Sequence, residues 1–142
     1  SPMKITVNRI NDAYLMEAEN EEGAVSRMDA SADLGGVQGG LSPQQMLLAA
    51  VGGCSTIDII KILKKQKQNL KDIKVELEGE RIKRDTYKEF TDIHLHFILS
   101  GDLDPKKVER AIDLSLDKYC SVAKALEHTA TITHDYTIEN TA

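Results

Sequence analysis

The chain has 142 residues, of which 41% are hydrophobic and 29% charged, the make-up of one globular domain large enough to bury a core. A formal charge of −5 and a pI near 5.4 argue against a general binder of phosphate backbones, and two Phe with no Trp leave base-stacking platforms poorly supplied. The N-terminal SPMKITVNRI carries no apolar signal core and no apolar run approaches the ~20 residues that cross a bilayer, so a cytoplasmic protein is expected, with neither nucleic acid nor membrane as partner.

Lys4 to Arg9 and Ala13 to Ala18 alternate apolar and polar residues around an Asn11-Asp12 turn, and Ala24 to Asp29 reads as a third short strand. A three-stranded part over residues 4–29 opens the fold. Ala30 to Gly40 holds four glycines and is expected to be a flexible loop; it has neither the Lys-Ser/Thr pair nor the G-x-G-x-x-G spacing of a phosphate cradle.

A central helix is expected over residues 42–65. Ser42 is a good N-cap, Pro43 sits where a missing N–H does no harm, and Gln45 can complete a capping box. Every residue from Met46 to Val51 is apolar, so the segment is written for the interior. Gly52-Gly53 then costs about 1 kcal/mol per glycine relative to alanine. Either the helix kinks there or something approaches its backbone closely. A kink would make Cys54 the start of a second helical segment, whose free N–H groups favour a thiolate; without one that argument disappears.

Downstream, Gln66 to Asp72 reads as a polar connection. Ile73, Val75 and Leu77 alternate with charged residues, Arg81 to Glu89 reads as a charged turn, and Ile93, Leu95, Phe97 and Leu99 mark a second strand. His94 and His96 point to one side of that strand, but without a clear third ligand they read as a solvated face. Asp104-Pro105 starts an amphipathic helix through Leu116, and Cys120 stands near a junction with a further helical piece carrying Val122, Ala125 and Leu126. Thr129 to Glu139 is a final strand, with His134 a packing histidine on its apolar side. The ββααβ part spans 73–139. The whole is a single α+β domain, 1–142, without βαβ alternation.

Two cysteines are too few for a disulfide framework or a four-ligand zinc site, and no metal or cofactor is expected. Cys54 lies on a central segment beside two residues without side chains, which leaves its sulfur open to a small molecule. A nucleophilic thiol needs a cation or a set of N–H donors to lower its pKa, and Arg27 is the best local cation. Cys120 follows 66 residues later, too far for sequence alone to place the two in contact. One thiol that attacks and one that resolves would complete a peroxide-reducing cycle, thiolate to sulfenic acid to disulfide.

The segment SPQQMLLAAVGGCS together with KYCSV resembles the OsmC/Ohr family of osmotically induced and organic hydroperoxide resistance proteins, nearest its YhfA-like subgroup with GGCS-A/T-ID. The resemblance covers the chain from Met3. It implies an intertwined homodimer in which antiparallel sheets wrap long central helices and each active site lies at the subunit interface, and it implies thiol-dependent reduction of organic hydroperoxides. By motif position Cys54 is then the peroxidatic cysteine, Cys120 the resolving one and Arg27 the arginine that pairs with the thiolate. Where the family holds that arginine with a glutamate, this chain has Gln44, whose amide lacks the charge-assisted half of the bond. Two functions stay open: a thiol peroxidase supplied by an unknown thiol reductant, and a non-catalytic, stress-associated dimer holding a small apolar or electrophilic ligand.

Overall fold

The computed structural model of the chain describes residues 2–139, which fall into two compact units that divide between Leu47 and Leu48.

The first unit is an antiparallel sheet of three short strands, β1 (Thr6–Arg9), β2 (Met16–Glu19) and β3 (Val25–Met28), in sequence order. Its turns are set by asparagines. The Asn11 side chain accepts from the N–H groups of Ala13 and Leu15, and Asn20 does the same for Glu22 and Ala24. The first of these loops consumes the residues expected to start β2. Among the described residues Asp29 is the only buried one in this unit. Its carboxylate accepts from the N–H groups of Ala30, Val37 and Gly39 at 2.8–3.1 Å. The Gly39 bond leads in holding its pKa below the ordinary carboxylate range against the opposing effect of burial. The glycine-rich loop is therefore tied down at its base, not free as its composition suggests. At Gly36 a Cβ would stand 1.8 Å from the Ala30 carbonyl oxygen, so close approach explains that glycine.

Helix α1 runs from Pro43 to Lys65 without a break. The capping box forms as expected: Gln45 N–H donates to Ser42 Oγ at 3.2 Å, and Ser42 N–H to Gln45 Oε1 at 2.9 Å. Lys67, with φ of +57°, ends the helix in the left-handed conformation that closes its last turn. The glycine pair does not interrupt it. Gly52 is buried, and a Cβ there would lie 2.8 Å from Leu77 Cδ1 and 3.3 Å from Val75 Cγ1. Close approach by a neighbouring strand is the reason for Gly52. Gly53 faces open space. One sequence expectation is corrected: α1, with mean hydropathy 1.8 over 18 residues, is long and apolar enough to cross a bilayer by length and composition. Its Val51, Gly52, Ser55, Ile59 and Leu63 are buried in this structure.

The second unit adds a hairpin of two 15-residue strands, β4 (Asn69–Lys83) and β5 (Lys88–Asp102), then α2 (Pro105–Leu114), a π-helical turn (Ser115–Tyr119), α3 (Ser121–Leu126) and β6 (Thr131–Glu139). The strands overrun the expected charged turn at 81–89, and only the tip around Arg84 to Tyr87 turns, with Arg84 paired to Glu89. Charges are tolerated there because the ribbon's end is exposed on both sides.

β6 pairs with β5 in parallel. That corrects two expectations: the second sheet is mixed, not antiparallel throughout, and its last connection through α2 and α3 is a crossover of the kind parallel strands require. The α+β class stands, with two small sheets and one long helix. The core lies in this unit, where β5 contributes Ile93, Leu95, Phe97 and Leu99, α1 Val51, Ile59 and Leu63, and α2 Val108, Ala111 and Ile112.

Candidate functional site

The unbroken helix removes one source of an acidic thiol, because Cys54 sits in the middle of α1 and not at a helix start. The donors come from elsewhere. Asp104 caps α2 by accepting from Lys106 N–H, and the helix then widens into the π turn, closed by Cys120 N–H donating to the Ser115 carbonyl at 2.7 Å. Such a turn is a frequent feature of functional sites. Cys120 follows it in extended conformation as the N-cap of α3, accepting from Ala123 N–H at 3.4 Å.

This folding brings together what sequence could not. The sulfurs of Cys54 and Cys120 and a carboxylate oxygen of Asp58 all lie within 4.8 Å of one another. Both cysteines are free thiols, Cys54 half-buried and Cys120 fully buried.

Their electrostatics differ in sign. Burial raises the pKa of Cys54, but hydrogen bonds to its sulfur from the Val122 N–H, the Cys120 thiol and the Ser121 hydroxyl outweigh it, and despite the opposing charge of Asp58 the pKa lies below the ordinary thiol value. Burial pushes Cys120 up to about 11; the Ala123 N–H opposes that, and the neighbouring Cys54 adds to it. One sulfur is thus favoured as thiolate and the other as the thiol that donates to it.

Arg27 and Gln44 belong to the first unit. Arg27 stands opposite Glu17 in the β2–β3 register, with Nε 3.4 Å from Glu17 Oε2, and both side chains are partly exposed. A carboxylate therefore does hold this arginine, though from β2 and not from position 44. Sequence reasoning also missed Asp58, Ser115 and Ser121. Asp58 was recognisable, since it is one helical turn beyond Cys54 on α1; Ser115 and Ser121 depend on the π turn, which no periodicity announces.

The His94/His96 face, expected to be solvated, is half-buried, and a third polar group is present: Asp135 Oδ1 lies 2.9 Å from His94 Nε2 and 2.7 Å from His96 Nδ1. The parallel register of β6 on β5 delivers it. His134 packs on the other side, with Nε2 3.2 Å from Asp113 Oδ1.

Comparison with known proteins gives these features a family. Residues 35–135 match the family of OsmC-like proteins. Protein YhfA of Escherichia coli strain K12 is 49% identical over 98 residues, 68% of this chain and 72% of YhfA. A hypothetical protein from Aquifex aeolicus VF5 superposes with a TM-score of 0.85 at 25% identity, covering 100% of this chain and 99% of the other. The organic hydroperoxide resistance protein OhrB of Bacillus subtilis shares the fold, with a TM-score of 0.69 at 20% identity over 96% of this chain and 98% of that one. The chain belongs to the OsmC-like family.

Proposed function

We propose that the protein is a thiol-dependent peroxidase for organic hydroperoxides. The observation that carries this reading is the paired sulfurs: Cys54, with its pKa lowered by hydrogen-bond donors, within 4.8 Å of a protonated Cys120. The Cys54 thiolate attacks the distal oxygen of ROOH, the O–O bond breaks, and ROH leaves after taking a proton. Cys54 is now a sulfenic acid. The Cys120 sulfur attacks it, water departs, and a disulfide remains for an external thiol reductant to reopen. Arg27 is the guanidinium assigned to the thiolate in this reading, from the same chain or from a second copy. A cytoplasmic location, where thiol reductants are present, completes it.

The working unit is a homodimer. Ala50, Gly53, Ile57 and Ile60 recur at helical spacing along α1 and are all exposed. The first unit leaves Ile5, Val7 and Val25 exposed as well, apolar residues of the kind that mark an interaction surface. A second copy that covers these residues also supplies an apolar setting suited to alkyl hydroperoxides.

One observation favours a non-catalytic ligand-binding dimer: the Asp58 carboxylate opposes the Cys54 thiolate. Intact-mass measurement decides. One equivalent of cumene hydroperoxide should remove about 2 Da from the reduced chain, one disulfide per chain. An unchanged mass, or oxygen added only at methionine, would leave the binding protein.

A further inference from the structure

We propose that Cys54, Cys120 and Asp58 form a three-ligand site for a thiophilic divalent cation of the zinc class. The site uses the reduced dithiol and needs no turnover, so it stands apart from the peroxidase reading. Among the described residues these three are the one group of ligating side chains whose donor atoms gather within 4.8 Å. Around a tetrahedral zinc, sulfur and oxygen ligands at roughly 2.0–2.3 Å from the metal stand about 3.5–3.8 Å apart. Shifts of about 1 Å in the side chains close the set.

The neighbours fit a metal site. A carboxylate set beside a thiolate is a like-charge contact, and a divalent cation between them turns repulsion into attraction. The buried Ser115 hydroxyl is 3.2 Å from Asp58 Oδ2 and also 3.2 Å from the Ser55 carbonyl, so it orients the carboxylate in the manner of an outer-shell partner. The Ala123 N–H does the same for the Cys120 sulfur. The π turn sets both, since it holds Ser115 at its start and delivers Cys120 at its end. Two sulfurs and one oxygen select zinc, cadmium or cobalt over magnesium or calcium. Both sulfurs bind as thiolates, with the thiol protons released to solvent. The half-exposed Cys54 provides the entry and leaves the fourth position to water or an added ligand.

The test uses the reduced full-length protein in metal-free anaerobic buffer, titrated with cobalt(II) and then zinc. One cobalt per chain should bind with a thiolate-to-metal charge-transfer band of two thiolates, and zinc should displace it. Cys54→Ser and Cys120→Ser should each halve the band. Asp58→Asn should keep both thiolates yet weaken zinc binding at least about tenfold. Absence of the band, or zinc affinity unchanged in Asp58→Asn or Cys54→Ser, overturns the proposal. Should Cys120→Ser not fold, the other two variants, at half-exposed positions, decide it. Disulfide formation by hydroperoxide in chelator-treated buffer reports separately on the redox reading.

Discussion

Replacing Gly52 by alanine sets two effects of known size against each other. Alanine in a helix interior gains about 1 kcal/mol over glycine. Overpacking a tight interior costs about 1–3 kcal/mol. Here the new Cβ meets Leu77 Cδ1 at 2.8 Å and Val75 Cγ1 at 3.3 Å. The leucine methyl ends a rotatable side chain and yields cheaply, whereas the β-branched valine is stiff. The clash therefore falls near the middle of its range, about 2 kcal/mol, and the net effect is a loss of about 1 kcal/mol. Truncating Val75 to alanine removes the contact that cannot yield. In that background Gly52→Ala should be neutral or stabilising, a coupling of about 1–2 kcal/mol. Urea unfolding of the four reduced proteins measures it, at one fixed concentration because a dimer's stability depends on it. A gain of about 1 kcal/mol from Gly52→Ala in both backgrounds would refute close approach as the reason for this glycine.

Two further predictions concern the sulfurs. Alkylation of Cys54 by iodoacetamide should show a pH midpoint below the ordinary ~8.5 of a free thiol; Cys120→Ala should raise it by deleting a donor, and Cys120→Ser should largely spare it. An unmoved midpoint in Cys120→Ala contradicts the S–H to sulfur bond. Because the folded state holds the Cys120 proton to about 11, above the value in the unfolded chain, its stabilisation is complete below pH ~9 and is lost as pH rises towards 11. Wild type should therefore lose stability over that window more steeply than Cys120→Ser, by up to about 1.4 kcal/mol per pH unit in pH-dependent urea melts. Equal slopes would show that Cys120 keeps its ordinary pKa.

Much of the fold is written in local signals. The Ser42 to Gln45 capping box and the alternation along Ile93, Leu95, Phe97 and Leu99 are read directly because cap chemistry and period-two burial act over a few residues. Strand ends are not: Arg81 to Lys83 looks like a turn because charge is tolerated on a ribbon that has outrun its core. The parallel placement of β6 is equally silent, since alternation carries no direction. The same gap hides Asp135 beside the two histidines. The glycine pair announces that something is unusual on α1, yet only β4 in place shows that Gly52 makes room for Val75 and Leu77. At the site, family resemblance singles out both cysteines, while their proximity depends on the π turn before Cys120. Asp58 is disguised as one more polar residue on the edge of a helix.

The assignment of attack to one sulfur and resolution to the other is tested most directly by trapping the intermediate. Cys120→Ser treated with an organic hydroperoxide and dimedone should carry a single sulfenic-acid adduct, mapped to Cys54 by peptide mass spectrometry. A protein that consumes hydroperoxide without an adduct at Cys54, or a Cys54→Ser variant that is labelled at Cys120 equally fast, would contradict the account.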